Sequence, residues 1–367
     1  MTAIAGPPAA AIKGPARPGR EIFRTAASIA LVAAIFAFAL PHFASYRSVW
    51  ASMQAMTWAQ ALLVGTAAAA SMVSTWIMIC SILPSIRLRE AAVVNLGSNA
   101  VANTLPAGGA LAMGVSWAML SSWGVSTAEY VLYTLVSGIW NVFARLGLPV
   151  LALLVLVTVG RPGAGLIAAA AAGLTLLVAM AAGLGLLMRS ESFALRAGRA
   201  LQPALAIACR VARRPVSFDI RGSLLGFRDQ AGVLIAARGW RITAATAASN
   251  LTLWLVLLAC LRGTGLSQAQ VSWQTSLAAF AFVRLLTVLP ITPGGLGITE
   301  LGLIAVLAGA GHRDGAQVTA AVLLYRAVTY LPPIPLGALA CLTWRHAPAL
   351  IHSSPQNAGR QRGPVMQ

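Results

Sequence analysis

Four ionisable residues stand inside long apolar stretches of this sequence: Arg145, Arg284, Glu300 and Arg326. An arginine presents a planar fork that holds a phosphate by two hydrogen bonds, and a carboxylate can bind an amine or carry a proton. An ionisable group deep in a membrane costs about 2.5–3.5 kcal/mol on insertion scales, which makes each one a functional candidate by default. A plainer interpretation pairs Glu300 with an arginine at the start of a helix, while other arginines reach the membrane surface.

Composition places these residues in a membrane protein. Of 367 residues, 58% are hydrophobic and 9% are charged, and the mean hydropathy is +0.79; a soluble domain carries about 25% charged residues. In a membrane protein the net charge of +18 indicates loops that face anionic lipid, so we expect no nucleic-acid partner. The sequence predicts an all-α polytopic membrane protein, and its four scattered cysteines indicate neither a disulfide framework nor a metal site.

Amide side chains accompany the ionisable residues. Asn99 and Asn103 continue a row that begins at Asn95 and repeats every four residues, so all three are predicted on one helix face. Asn141 stands one helical turn before Arg145. These amides could line a polar path, or they could form hydrogen bonds between helices without any substrate.

Two proline–glycine breaks interrupt the apolar stretches, at Pro106–Gly109 and within Leu289–Leu301. Unpaired peptide groups in hydrocarbon cost several kcal/mol, so a broken backbone persists only inside protein or beside a wet cavity. The glycines at these breaks could expose N–H groups as an anion cradle at half-helix N-termini, or they could simply allow tight turns. They are Gly108, Gly109, Gly294, Gly295 and Gly297.

The chain divides into five segments by composition. These are a disordered basic cytoplasmic N-terminus (1–25), a first membrane half (26–188) with a hairpin at 92–123, an arginine-rich amphipathic cytoplasmic linker (189–241), a second membrane half (242–345) with a hairpin at 271–311, and a disordered C-terminal tail (346–367). Linker arginines alternate with apolar residues, as in helices that lie on a membrane surface, so anionic lipid headgroups are expected partners.

Each broken segment is predicted to be a re-entrant helical hairpin. The chain then has about six transmembrane helices, and its basic residues concentrate on the side of both termini, which the positive-inside rule makes cytoplasmic. Both halves show a span, a hairpin and an arginine-bearing span in opposite orientations, an inverted repeat typical of transporters. Arg145 with Asn141 is the predicted counterpart of Arg326. If the broken segments crossed fully, the chain would have about eight to ten spans.

Three stretches carry recognisable motifs: NTLPAGGALAMG at Asn103–Gly114, LPITPGGLGITELGL at Leu289–Leu303 and LLYRAVTYLPPIPLG at Leu323–Gly337. Together they resemble the lysylphosphatidylglycerol synthase transmembrane-region family of flippase-like membrane proteins, over roughly Ala26–Trp344. Members with a fused soluble domain aminoacylate phosphatidylglycerol there and move the product across the bilayer with the membrane part. The longest candidate loop here is the linker 189–241, so the resemblance implies translocation of a lipid or lipid-linked headgroup without synthase chemistry.

The leading hypothesis is a translocase of a phospholipid or lipid-linked precursor in a bacterial cytoplasmic membrane. The three arginines would hold the lipid phosphate and Glu300 an amine or a proton. No enzyme activity, nucleotide motif or cofactor is expected. Two alternatives stay open: a non-transporting scaffold that binds an envelope-biosynthesis enzyme through the linker, and a small-solute or ion transporter.

Overall fold

The structure is a computed structural model that describes residues 46–104, 108–157, 164–190, 192, 196, 220–287, 297–308 and 315–344. Within these residues the chain forms helices and turns and contains no strand. The predicted first span at Ala26–Ala44, both terminal segments, most of the linker, and Gly294 and Gly295 lie outside the described residues.

Eleven helices follow one another in the described part of the chain. They are α1 (Tyr46–Gln54), α2 (Trp58–Ile82), α3 (Leu88–Thr104), α4 (Gly108–Ser122), α5 (Thr127–Val157), α6 (Ala164–Arg189), α7 (Ile220–Gly263), α8 (Trp273–Leu286), α9 (Ile298–Ala308), α10 (Gly315–Tyr330) and α11 (Pro333–Thr343).

Five stretches of the described residues are long and apolar enough to cross a membrane, judged by length and composition. They are Trp58–Ile82, Thr127–Val157, Ala170–Arg189, Gly226–Gly263 and Gly315–Thr343. The last comprises α10 and α11, separated where Pro332 and Pro333 lack the N–H groups that would continue the helix. The prediction of an all-α polytopic membrane protein is confirmed.

Four helices at the two broken segments are too short to cross a bilayer. They have 17 residues in α3, 15 in α4, 14 in α8 and 11 in α9. At 1.5 Å per residue they extend between about 16 and 26 Å, less than the ~30 Å hydrocarbon core. Because α3 packs on α4 and α8 packs on α9, each broken segment forms a helical hairpin of the re-entrant kind.

Helix α7 continues through the boundary that the sequence suggested between linker and second half. Its 44 residues extend about 66 Å, twice the hydrocarbon thickness, because no proline interrupts the sequence from Ile220 to Gly263. Arg228 Nε donates a hydrogen bond to the Met188 carbonyl at 2.9 Å, which satisfies a free carbonyl in the last turn of α6. Residues 220–241 are therefore a helical extension of a span.

The two halves meet along α2 and α7, which pack closely against each other. Ser74 Oγ lies 2.8 Å from Thr252 Oγ1, and Thr75 Oγ1 lies 3.0 Å from Ser249 Oγ. Residue numbers rise along α2 as they fall along α7, so the helices are antiparallel, and small hydroxylated residues let them approach.

Each hairpin packs against the other half of the chain. Helix α3 of the first hairpin lies on α11, and α8 of the second hairpin lies on α5. Each half consists of a span, a hairpin and a final helical element, which is α5 in the first half and α10–α11 in the second. In both halves the first helix of the hairpin therefore packs on the final element of the other half. With antiparallel α2 and α7, this pattern is the inverted repeat that the sequence suggested.

Candidate functional site

Glu300 is buried at the start of the second half of the second hairpin. Its side chain is 2% exposed, Oε1 accepts a hydrogen bond from Arg326 Nε at 2.6 Å, and Oε2 accepts one from the Gly297 N–H at 2.6 Å. Gly297 has φ of 83°, a left-handed conformation that favours glycine. Of the two interpretations of Glu300, the structure shows the ion pair with an arginine at a helix start.

A chain of contacts runs from this ion pair to the first hairpin. The guanidinium carbon of Arg326 lies 5.1 Å from the ring centre of Tyr330, a cation–π distance. The Tyr330 hydroxyl donates to the Asn103 carbonyl at 3.1 Å, and Asn103 Nδ2 donates to the Tyr330 carbonyl at 3.4 Å. Helix α10 thus joins the start of α9 to the end of α3.

Arg145 and Arg284 meet beside the break in the second hairpin. Arg145 donates from a terminal nitrogen to the Thr287 carbonyl at 2.9 Å, where Thr287 ends α8, and a cation at a helix C-terminus is favourable. Arg284 donates to Asn250 Oδ1 at 2.9 Å and lies 5.9 Å from the centre of the Phe280 ring. The two guanidinium groups are close enough for their charges to repel each other.

Neither of these arginines is neutralised within the described residues. The ion pair that the structure contains there joins Arg326 to Glu300, and the Nε atoms of Arg145 and Arg284 are buried without a hydrogen-bond partner. A buried polar group without a partner, and still more a buried charge, costs free energy that a bound counter-charge would recover. The arrangement can therefore hold an anion with two guanidinium forks.

The structure also gives the register between the two halves. Asn103 and Thr287 each stand three residues before the proline of a Leu-Pro pair, and their carbonyls accept from Tyr330 and Arg145. Arg145 therefore corresponds to Tyr330. Asn141 stands four residues before Arg145, and Arg326 stands four residues before Tyr330, so Asn141 is the counterpart of Arg326. This replaces the pairing of Arg145 with Arg326 that the sequence suggested.

A cavity with both polar and apolar lining lies on the first-hairpin side. It has a volume of ≈ 140 Å³ and is lined by side chains of α2, α3, α7, α10 and α11, including Ser71, Thr75, Asn95, Asn99 and Thr329. We call it the amide pocket. Asn95 Oδ1 accepts from Trp76 Nε1 at 3.3 Å, which anchors one of the two amides.

The remaining predicted residues have more local roles. Asn141 Nδ2 donates to the Ser137 carbonyl in its own helix at 2.9 Å. A Cβ on Gly108 would clash with the Ala102 carbonyl oxygen, whereas a Cβ on Gly109 would meet nothing within 4 Å. Gly108 therefore permits the close approach within the first hairpin, while Gly109 is not needed for it.

Sequence reasoning missed Asn250, Phe280 and Thr287 as partners of the arginines. Asn250 is 5% exposed, and its position in a span rich in small residues was the available signal, because a buried amide needs a partner. Thr287 contributes a backbone carbonyl, which no side-chain pattern reveals.

A family model described as "Lysylphosphatidylglycerol synthase TM region" matches residues 25–337, which include both hairpins and all four ionisable residues of the site. The family that the motifs suggested is thereby confirmed. A search of curated proteins finds no match to the chain.

Proposed function

The chain belongs to the family of lysylphosphatidylglycerol synthase transmembrane regions, and on this premise we propose that it moves a phospholipid or lipid-linked precursor across the cytoplasmic membrane. The family description points to a lipid-related role in a membrane. The lipid phosphate binds between Arg145 and Arg284, beside the break in the second hairpin.

One observation carries this proposal: the Nε atoms of Arg145 and Arg284 are buried and have no hydrogen-bond partner among the described residues, while the charge of Arg284 acts on Arg145. A phosphate diester offers two acceptor oxygens and one negative charge, which suits two arginine forks. Binding it would relieve both the repulsion and the missing hydrogen bonds, so the pair is better suited to a ligand than to the stability of the protein alone.

The contacts between hairpins suggest how binding could move the protein. Glu300, Arg326, Tyr330 and Asn103 form a continuous path from α9 to α3, and Arg145 holds the end of α8. In inverted-repeat transporters one bundle rocks against the other around a site at broken helices. A headgroup bound to Arg145 competes with the hydrogen bond from Arg145 to the Thr287 carbonyl, which fixes the end of α8.

A tryptophan–arginine pair within α7 supports our proposal for which side of the membrane the helical extension occupies. Trp240 is 71% exposed, and the Arg241 guanidinium carbon lies 5.6 Å from its ring centre, a pairing suited to a membrane interface. The residues from Arg241 to Gly263 extend about 34 Å, close to one hydrocarbon thickness. We place residues 220–239 on the cytoplasmic side, where their arginines contact anionic lipid, with both chain termini on that side.

The test is lipid movement in liposomes that contain the purified full-length chain. Acyl-chain-labelled phosphatidylglycerol is bleached from outside, and the rate at which inner-leaflet label becomes accessible is measured. Arg284→Gln should lower that rate by about tenfold or more, as expected for losing a charged hydrogen bond of about 1.5–3 kcal/mol. Arg47→Gln, an exposed residue of α1, is the matched control and should keep the rate.

Two outcomes would count against this function. Label that moves no faster than in protein-free liposomes would rule out lipid translocation under these conditions, and a substrate-dependent proton flux without lipid movement would favour a small-solute transporter. Equal rates for Arg284→Gln and Arg47→Gln would remove the arginine pair from the mechanism.

A further inference from the structure

The charge arrangement around the second hairpin bears on which lipid headgroup it accepts. Glu300 is the one carboxylate among the four ionisable residues of the site, and both of its oxygens are engaged, with Arg326 Nε and with the Gly297 N–H, at 2.6 Å each. An incoming ammonium group would have to displace Arg326 from a residue that is 2% exposed. Such a displacement leaves the Arg326 guanidinium, whose side chain is only 16% exposed, without its counter-charge, which is strongly unfavourable.

Other acids do not offer an ammonium site in the described helices. The seven remaining acids of the sequence are Glu21, Glu90, Glu129, Glu191, Asp219, Asp229 and Asp314. Of those that the structure describes, Glu90 and Glu129 accept N–H groups at helix starts, and Asp229 is exposed on the extension of α7.

Aromatic rings are the other common partner of an ammonium group. Two rings of the site already carry cations, because Arg326 lies over Tyr330 and Arg284 lies over Phe280. A third ring, that of Tyr325, lies near the same arginines but is only 5% exposed. The ammonium of an aminoacyl or ethanolamine headgroup would therefore lie among guanidinium groups, with neither a free carboxylate nor an accessible free ring in the described part of the site.

The net charge points the same way. Arg145, Arg284 and Arg326 against Glu300 leave two positive charges uncompensated in the described site. A phosphate diester without a cation lowers this excess, a zwitterionic headgroup leaves it unchanged, and an aminoacylated headgroup with two amines raises it. Coulomb repulsion between like charges is strong at low effective dielectric.

We propose that this site selects an anionic lipid whose headgroup carries no cationic group, and that it discriminates against aminoacylated and ethanolamine lipids. The substrate class is thus a phosphate lipid with an uncharged remainder, of which phosphatidylglycerol is the simplest probe. The selection differs from the aminoacylated lipid in the family description. Its transport consequence rests on the proposed function, whereas its binding consequence does not.

The experiment has a binding arm and a transport arm, both on the full-length chain. In detergent, native mass spectrometry measures the affinity for phosphatidylglycerol, lysylphosphatidylglycerol and phosphatidylethanolamine with identical acyl chains, so tail contributions are equal. Phosphatidylglycerol should bind about tenfold more tightly than the other two, a difference of 1.4 kcal/mol. In liposomes, labelled versions of the same lipids should move in the same order.

An isosteric variant tests the cause of the preference. Asn250→Asp places a carboxylate on the acceptor that Arg284 contacts at 2.9 Å, and it should remove most of the preference for phosphatidylglycerol. Gln274→Glu makes the same change in charge near the other end of α8 and should keep the preference. Arg284→Gln should likewise weaken phosphatidylglycerol binding, should Asn250→Asp fail to fold.

The two arms separate the ways in which the ideas can fail. Equal or tighter binding of lysylphosphatidylglycerol by the unmodified protein overturns the inference, whatever the transport arm shows. The expected binding order without any lipid movement supports the inference and refutes the proposed translocase function. Faster movement of lysylphosphatidylglycerol than of phosphatidylglycerol overturns the inference and leaves the translocase function standing.

Discussion

The second hairpin and the first hairpin are held by corresponding contacts, yet their surroundings differ in charge. At the second hairpin, Arg145 donates to the Thr287 carbonyl, and a second arginine, Arg284, is close enough to act on its charge. At the first, the Tyr330 hydroxyl donates to the Asn103 carbonyl, and the nearby amide pocket is lined by amides, hydroxyls and apolar side chains. A neutral donor and a cationic donor thus satisfy equivalent carbonyls at the ends of two half-helices.

The difference teaches that capping a half-helix does not require a charge. A tyrosine hydroxyl suffices for Asn103, so the arginine at the corresponding position brings charge for another purpose. The residues one helical turn earlier show the same contrast between a neutral and a charged group. Asn141 donates to a carbonyl of its own helix, whereas Arg326 donates to the Glu300 carboxylate. The scaffold is repeated, and the ionisable groups are concentrated at one of its two sites.

The largest effect is expected from Glu300→Gln. The change leaves Arg326 buried without its counter-charge, and breaking a buried ion pair costs about 3–5 kcal/mol. Thermal unfolding in detergent, followed by tryptophan fluorescence, should show a large fall in midpoint. Adding Arg326→Gln should recover part of the loss, because the uncompensated charge is removed as well.

The counterpart of Arg326 provides the control for that comparison. Asn141→Ala removes one hydrogen bond to Ser137 within α5, worth about 0.5–1.5 kcal/mol. If Asn141→Ala lowered the midpoint as much as Glu300→Gln, charge would not be what distinguishes the two sites.

The turns of the two hairpins should also respond differently. Gly297→Ala forces a Cβ into a left-handed conformation, with φ of 83°, at a cost of about 1–2 kcal/mol. It should also disturb the N–H that Glu300 accepts. Gly109→Ala, where a Cβ meets nothing within 4 Å, should leave the midpoint unchanged or raise it slightly, since alanine favours a helix. Equal losses would contradict the described geometry of the turns.

The sequence predicted the elements better than the partners. Apolar length and the proline–glycine breaks indicated both hairpins, because hydrocarbon thickness restricts each stretch locally. Glu300 and Arg326 were candidates because charges are rare at such depth. Asn250 as the partner of Arg284, and Tyr330 as the partner of Asn103, were not identified, because each contact joins residues far apart in sequence. The continuity of α7 was missed because its arginines resembled a surface helix.

A smaller effect is expected from Tyr330→Phe. The change removes the hydroxyl that donates to the Asn103 carbonyl at 3.1 Å and keeps the ring under Arg326. One hydrogen bond contributes about 0.5–1.5 kcal/mol, so the unfolding midpoint should fall modestly. Amide exchange should accelerate in the last turn of α3 and stay unchanged in α8. Faster exchange in α8 alone would show that the two carbonyl contacts are not equivalent.

The smallest effect is expected from Asn99→Ala in the amide pocket. Asn99 faces the cavity of ≈ 140 Å³, and its side chain forms no hydrogen bond with the residues that the structure describes. The substitution therefore removes no protein contact of that kind, and the free energy of unfolding should change by less than about 0.5 kcal/mol. The ratio of phosphatidylglycerol to phosphatidylethanolamine movement should also stay the same, because a neutral amide contributes little to charge discrimination.

Arg145→Gln, measured in parallel in the same liposomes, should lower that ratio. If Asn99→Ala lowered it as much, the first hairpin would share in selecting the charge of the headgroup, and the division between a charged site and a neutral one would fail.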